Sequence, residues 1–249
     1  QLIQVGLQFD EYKSSNPFAY ATTSCKNAFL KILKIEKKIQ EAIANGYTRE
    51  EVEAALDSFG APYVVKHDGL AAGKGVVVTD DRELALEHAL SSPRVVIEEF
   101  LDGPEVSLFG ISDGRTVIAM QPAQDFKRAF DGDLGLNTGG MGAYSPLPWA
   151  PETIIEETLE KVLKPTIAEM AKRGTPFVGL LYAGLALTSK GLRVIEFNAR
   201  FGDPESLNVL TILSSDFVAI CEALISGTLS QDLVSFENLA TVCKYAVPE

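Results

Sequence analysis

The sequence predicts an α+β fold built from antiparallel sheets, on three observations. Short apolar runs come in adjacent pairs joined by turn signals: Val106–Ile111 and Thr116–Gln121 flank Ser112-Asp113-Gly114, and Gly179–Thr188 and Leu192–Asn198 flank Ser189-Lys190-Gly191. Helical periodicity lies in separate blocks, with no regular βαβ alternation. The chain has 249 residues, 46% hydrophobic and 22% charged, enough to bury a core in one large or two modest domains.

Taken in order, residues 7–24 are polar, with a turn at Ser15-Asn16-Pro17. Lys26–Asn45 carries Phe29, Leu30, Leu33, Ile35, Ile39 and Ile43 among lysines, the pattern of an amphipathic helix stopped at Asn45-Gly46. A second helix starts at Thr48 with Glu51 three residues on, the capping-box spacing, and ends near Phe59 before Gly60. Tyr63–Lys66 and Gly75–Thr79 read as strands joined by a Gly-rich loop, DGLAAGKG. Asp80 caps a helix running to Leu90, and Arg94–Phe100 is a strand before the turn Asp102-Gly103-Pro104. Residues 125–148, rich in Gly and Pro, read as a long functional loop. Pro151–Arg173 is a helix bent at Pro165, and two more helices cover Pro204–Leu213 and Asp216–Ser226. This divides the chain into a lead-in (1–48), a smaller subdomain with the Gly-rich loop (49–122) and a larger one (123–249).

Lys and Arg total 22 against 34 Asp and Glu, a net charge of −12, which disfavours nucleic acid and anionic membrane as partners. Cys25, Cys221 and Cys243 form no CxxC pair, so a reducing, cytoplasmic setting is expected. His67 and His88 have no metal-ligand spacing with each other or with the cysteines. No apolar run is long enough to span a bilayer, and the N-terminal residues lack a signal-peptide pattern.

Four stretches carry candidate chemistry. In VVKHDGLAAGKGVVV (64–78), the glycines let backbone N–H groups approach a ligand, and Lys66 and Lys74 add charge suited to a polyphosphate. The spacing is not that of a Walker A loop, and the same residues also suit a hairpin tip with two solvated lysines. In VVIEEFLDGPEVSLFG (95–110), Glu98 and Glu99 are adjacent in an apolar strand. One of them must therefore face an apolar layer, and it needs a donor there: an adenine amino group, ribose hydroxyls or a structural cation. Glu105 is placed to face the same pocket. In LRVIEFNARFGDPE (192–205), strand alternation puts Val194, Glu196 and Asn198 on one face. Glu196 and Asn198 then offer two hard oxygens for Mg²⁺, or Glu196 pairs with a buried Arg. Arg200 supplies a fork for carboxylate or phosphate. In residues 122–146, Asp125, Lys127, Arg128, Asn137, Thr138, Gly139, Gly140 and Gly142 gather in a segment suited to a phosphosugar, or to an ordinary surface loop.

Together, VVKHDGLAAGKGVVV, VVIEEFLDG, QDFKR, NTGGMGAYSP, GLLYAGLAL and VIEFNARFGDPE closely resemble the phosphoribosylamine–glycine ligases over residues 49–249. The resemblance implies the ATP-grasp fold, two α+β subdomains with antiparallel sheets clasping ATP. It implies that Lys66 and Lys74 contact ATP phosphates beneath the loop Gly69–Gly75, with Gly73 in it. Glu98 and the backbone near Leu101 would hold adenine, and Glu105 the ribose, with Glu99 also among the ATP-binding residues. Glu196 and Asn198 would hold Mg²⁺, with Mn²⁺ as an alternative. Arg200 and Asp203 would lie at the acceptor site. Asp125, Lys127 and Asn137, Thr138, Gly139, Gly140, Met141 and Gly142 would lie near glycine and 5-phosphoribosylamine. The implied reaction joins these two substrates through a glycyl phosphate, by a monomer or weak homodimer.

The chain departs from the family pattern in its lead-in, residues 1–48, and in a shorter connection between Leu90 and Pro93. The pattern also includes an N-terminal domain with a GNGGREH-like loop and a continuation beyond KYAVPE. These departures keep two other readings in play: a truncated, chimeric or engineered core that binds Mg·ATP without full ligase activity, and another carboxylate–amine ligase on the same fold. NTGGMGAYSP argues against the second.

Overall fold

The computed structural model describes residues 44–45, 47–68, 75–132 and 134–246. They fall into two compact units, one within residues 33–102 and one spanning 103–249. Every strand pair in both is antiparallel, as the pattern of hairpins predicts.

The first unit contains β1 (Ala44–Asn45), α1 (Arg49–Phe59), β2 (Tyr63–His67), β3 (Val76–Thr79), α2 (Arg82–Leu90) and β4 (Arg94–Glu98), with sheet order β1-β4-β2-β3. α1 begins with the predicted capping box. Glu51 N–H donates to Thr48 Oγ1 (3.3 Å) and Thr48 N–H to Glu51 Oε2 (2.8 Å), satisfying two orphan donors. Val52 and Leu56 of α1 pack with Ala85, Leu86 and Ala89 of α2 and with Val65, Val95 and Ile97 of the sheet, forming this unit's core.

Three expectations shift here. The cap of α2 is Asp81 rather than Asp80: Asp81 has an extended backbone, and its Oδ1 accepts from Glu83 N–H (2.9 Å) and Leu84 N–H (3.2 Å). The strand expected to reach Phe100 ends at Glu98. Ala44 and Asn45 are paired with Val95 and Arg94, so the end of the expected helix is a strand on the open edge of β4. The rest of that helix, the turn at Ser15–Pro17 and the loop residues Gly69, Gly73 and Lys74 lie outside the described residues.

The second unit contains a sheet of order β10-β9-β5-β6, formed by β5 (Glu105–Asp113), β6 (Val117–Ala119), β9 (Val178–Thr188) and β10 (Gly191–Asn198). Its core includes Phe109, Ile111, Ile118, Met120, Tyr182, Val209 and Ile220. β5 runs from Glu105↔Ala186 to Asp113↔Val178 along β9. This long-range pairing moves the unit boundary from the expected residue 122 to 102/103.

Residues 125–148 are not a loop. β7 (Gln124–Phe130) and β8 (Leu134–Ser145) form a hairpin, and β11 (Thr241–Lys244) adds to it in the order β11-β8-β7. Register irregularities at Phe126/Arg128 and Arg128/Phe130, with positive φ at Gly135 (86°) and Gly140 (122°), let a Gly-rich segment keep a twisted ladder. Its glycines hide the alternation that marks an ordinary strand.

The helix expected over 151–173 is present as α3 (Ile154–Thr158), a widened turn (Leu159–Leu163) and α4 (Lys164–Lys172). Lys164 N–H reaches back to Leu159 O, five residues away, just ahead of Pro165, which has no N–H to give. The proline is accommodated by a π turn. Two further helices, α5 (Glu205–Thr211) and α6 (Phe217–Ser226), pack onto the sheet face that carries the site.

Candidate active site

In the second unit, strand register places the polar residues. Glu105 pairs with Ala186, Ser107 with Gly184, Glu196 with Gly184 and Asn198 with Tyr182. Residues 182, 184 and 186 share one face of β9, so Glu105, Ser107, Tyr182, Glu196 and Asn198 all project from that face. A bulge between Val194 and Glu196 breaks the alternation in β10. Val194 pairs with Leu185 and so leaves the face on which simple alternation placed it, whereas Glu196 and Asn198 stay together. Gly184 leaves room for them: a Cβ there would lie 3.2 Å from Glu196 Cγ. Asn198 Nδ2 donates to Glu196 Oε1 at 2.9 Å.

β7 brings a cation to this face. The backbone bridge between Ser107 and Ala123, with N–H···O distances of 2.8 and 2.9 Å, ties the start of β7 to β5. Lys127 Nζ then lies 2.5 Å from Glu105 Oε2 and 3.8 Å from Asp125 Oδ1. Glu105, expected at the ribose, is therefore paired with Lys127. Burial pushes the Asp125 carboxyl up to about 6; Lys127 pulls it down, and Glu205 and Glu105 push it further up. Burial also works against charge on Lys127, but Glu105, Asp125 and Glu196 outweigh it and hold the ammonium above its ordinary range.

Beneath these groups lies a buried network whose residues fall within the quoted stretches but take no role from them. Ser107 Oγ donates to Glu205 Oε1 (2.9 Å) and lies 2.8 Å from Tyr182 Oη, which contacts the same carboxylate oxygen at 3.2 Å. Glu205 is only 3% exposed. The Tyr182 hydroxyl is pushed well above its usual range by burial and then by Glu205. The one signal in the sequence is polar character inside apolar strands, Ser107 in VSLFG and Tyr182 in LLYAG.

The segment after β10 closes against β8. A Cβ on Gly140 would meet Pro204 Cδ at 2.7 Å, so glycine's lack of a side chain permits this approach. Thr138 Oγ1 donates to Lys127 O (2.9 Å) and accepts from Gly140 N–H (3.1 Å). Asn137 pairs with Arg128, and Gly142 with Phe126 and Lys244; Gly139 lies between them on β8. Tyr245, which the motifs also leave out, donates its hydroxyl to Asp203 Oδ1 and its N–H to Met141 O (3.0 Å). That bond to Asp203 pushes the Tyr245 phenol up to about 12. Arg200, exposed, donates from Nη1 to Phe201 O (2.8 Å).

In the first unit, Lys66 Nζ lies 2.5 Å from Glu98 Oε2, both side chains mostly buried. β2 and β4 are paired with Val64 opposite Glu98 and Lys66 opposite Val96, so the two residues are diagonal neighbours on one face. Lys66 is thus the donor that a carboxylate in this apolar strand requires. Glu99 and Leu101 follow in the segment leaving β4, and Gly75 O accepts from His67 N–H at 2.8 Å.

Glu196 and Asn198 suit Mg²⁺ as a pair of hard oxygens on one strand face, once the Asn198 amide is turned to present Oδ1. Among the described residues, no group of three or more His, Cys, Asp or Glu gathers into a metal cage. A two-ligand site completed by phosphate oxygens is the form such a pair supports. No helix among the described residues is long and apolar enough to cross a membrane.

Comparison with known proteins identifies related sequences and folds. The model of the phosphoribosylglycinamide synthetase ATP-grasp (A) domain matches residues 24–206. The match begins ahead of the motifs and takes in part of the lead-in, residues 1–48. The phosphoribosylamine–glycine ligase of Streptomyces coelicolor is 66% identical over 180 residues, covering 72% of this chain and 43% of that protein. The crystal structure of phosphoribosylamine–glycine ligase from Thermotoga maritima superposes with a TM-score of 0.71 at 32% identity, over 82% of this chain and 54% of that one. At 14% identity, a biotin carboxylase from Campylobacter jejuni shares the fold with a TM-score of 0.66, over 90% of this chain and 49% of that one. The chain thus spans about half the length of the relatives it matches.

Proposed function

Since the chain belongs to the phosphoribosylglycinamide synthetase ATP-grasp family, we propose that it carries the catalytic core of a phosphoribosylamine–glycine ligase. The observation that carries this reading is the single sheet face bearing Glu105, Ser107, Tyr182, Glu196 and Asn198, to which β7 adds Lys127 and Asp125. A carboxylate and an amide oxygen for a metal, beside a cation for an anionic group, suit phosphoryl transfer to a carboxylate.

In this reading ATP phosphorylates the glycine carboxylate, breaking the bond from the γ-phosphorus to the β,γ-bridging oxygen and releasing ADP. The amine of 5-phosphoribosylamine then attacks the acyl carbon of glycyl phosphate. Inorganic phosphate leaves, and the amine proton passes to a base. No protein nucleophile takes part, so positioning and charge neutralisation supply the rate. Mg²⁺, or Mn²⁺ in its place, neutralises phosphate charge when held by Glu196 and Asn198. Lys66, Lys74 and the 69–75 loop cradle phosphates; Glu98, Glu99 and Leu101 meet the base; Glu105 meets the ribose on release from Lys127. Arg200 clamps a carboxylate or phosphate by its planar fork, and Asp203 with residues 137–142 holds the acceptor. Asp125 is suited to take the amine proton, because its raised pKa keeps it a usable base near neutral pH. A net charge of −12 supports small-molecule substrates over nucleic acid or membrane. A cytoplasmic protein, monomeric or weakly dimeric, is the accompanying proposal.

Phosphate release from Mg·ATP, measured with glycine, alanine or neither, each with and without 5-phosphoribosylamine, tests this. Release requiring glycine and lost in Arg200→Lys is expected. Release indifferent to the amino acid would leave a nucleotide-binding core without ligase chemistry.

A further inference from the structure

Glu196 and Asn198 stand opposite two residues of β9 at the extremes of bulk: Glu196 pairs with Gly184, and Asn198 with Tyr182. Gly184 does not occupy the left-handed region that favours glycine, so what it contributes is space rather than backbone freedom. A Cβ there would lie 3.2 Å from Glu196 Cγ and 3.3 Å from Tyr182 Cε1. Both distances fall inside ordinary carbon–carbon contact of about 3.5–4.0 Å. The stem of Glu196 therefore lies over Gly184, and the Tyr182 ring borders the same vacant position.

The two neighbours of that position are not equally fixed. Tyr182 is 6% exposed, and its ring packs against Phe109 at 5.3 Å between centroids. Its hydroxyl is tied to Ser107 Oγ (2.8 Å) and to Glu205 Oε1 (3.2 Å), so the ring is held at both ends. Glu196 is exposed and accepts from Asn198 Nδ2 (2.9 Å), a neighbour on its own strand. A long, exposed carboxylate side chain keeps several rotamers open unless its surroundings close them off. A group added at residue 184 would thus displace Glu196 before it displaced the ring.

We infer that Gly184 and Tyr182 are positioning residues for Glu196: the glycine lets its stem lie against β9, and the pinned ring is the wall that keeps it there, which presets the carboxylate beside Asn198. The inference rests on the reading that Glu196 and Asn198 hold Mg²⁺. A ligand already in place loses little freedom when the metal binds, so these two residues show themselves as metal affinity.

The test is the Kd of the whole chain for ATP, measured with Mg²⁺ and with EDTA, beside Tm, in wild type, Gly184→Ala, Tyr182→Phe, the double variant and Glu196→Gln. The ratio of the two Kd values reports the gain in binding that the metal brings. Glu196→Gln is expected to remove that gain. Gly184→Ala should lower it about tenfold, the scale on which groups that orient a metal ligand act, and change the Kd in EDTA less than about twofold. Tyr182→Phe should lower it about threefold, and the double variant no further than Gly184→Ala alone, because a ring released from Glu205 and Ser107 gives way to the new methyl group. A gain left intact in Gly184→Ala or in Tyr182→Phe, with only Tm lowered, would overturn the inference and leave packing as the role of these residues. A loss of about thirtyfold in the double variant, the product of two independent effects, would overturn the ring as the wall. A gain retained in Glu196→Gln would overturn the metal reading, and the inference with it.

Discussion

Lys127 and Glu105 form an ion pair at 2.5 Å across two strands that the sequence does not show to be neighbours. The bridge between Ser107 and Ala123 makes them so. In this arrangement the ammonium compensates Glu105, Asp125 and Glu196 together. Both partners are roughly half exposed, so the pair itself contributes about 1 kcal/mol or less to stability. A double-mutant cycle of Glu105→Gln and Lys127→Met in urea unfolding is expected to give coupling on that scale. Coupling above about 3 kcal/mol would mean the pair is more desolvated than described.

Asp125 has the larger consequence for pH. Its folded-state pKa, about 6, lies above the ordinary 3.8. The folded state therefore favours the neutral acid. That contribution is fully present below about pH 4 and is lost as pH rises through about 6. Asp125→Asn, which cannot ionise, is expected to gain about 1–3 kcal/mol over wild type at pH 8 and to match it near pH 4. A constant stability difference across that range would contradict the raised pKa. Activity is expected to fall in the same variant, because the proposed base is gone.

The Ser107–Tyr182–Glu205 network is expected to be structural and costly to break. Tyr182→Phe removes a buried hydroxyl from Glu205 and Ser107 and should cost about 1–2 kcal/mol. Glu205→Ala leaves two buried hydroxyls short of their acceptor and should cost more. Equal unfolding midpoints for all three proteins would mean that the network contributes nothing.

The capping box at Thr48/Glu51, the hairpins around Gly114 and Gly191, and the pairing of Glu196 with Asn198 are all legible in the sequence, because they follow from local rules of spacing and alternation. Features set by long-range register are not. Nothing local shows that β5 joins β9 rather than the first unit, that a bulge turns Val194 away from Glu196, or that Tyr245 reaches Asp203. The Gly-rich hairpin 124–145 reads as a loop for a related reason: glycine carries no side chain to alternate, so a strand built on it loses its periodic signal. Glu98 lies between these cases. Its need for a buried donor is plain from the apolar strand around it, but only the β2–β4 register identifies that donor as Lys66.

Tyr245 offers a test of the proposed acceptor side. Its hydroxyl holds Asp203, and its N–H holds Met141. Tyr245→Phe keeps the backbone bond and releases the carboxylate. The KM for glycine or for 5-phosphoribosylamine is expected to rise severalfold, with the Kd for Mg·ATP unchanged. A loss of ATP affinity of the same size would assign Tyr245 to the fold instead.

The most direct measurement of the central claim is trapping of the acyl phosphate. The chain is incubated with Mg·ATP, glycine and hydroxylamine, without 5-phosphoribosylamine, and glycine hydroxamate is quantified in wild type and in Glu196→Gln. The account predicts hydroxamate that requires both ATP and glycine, does not form with alanine, and falls by at least about a hundredfold in the variant, the scale of losing one electrostatic stabiliser of the transferring group. Hydroxamate absent from wild type under conditions where Mg·ATP binds, or undiminished in Glu196→Gln, would contradict it.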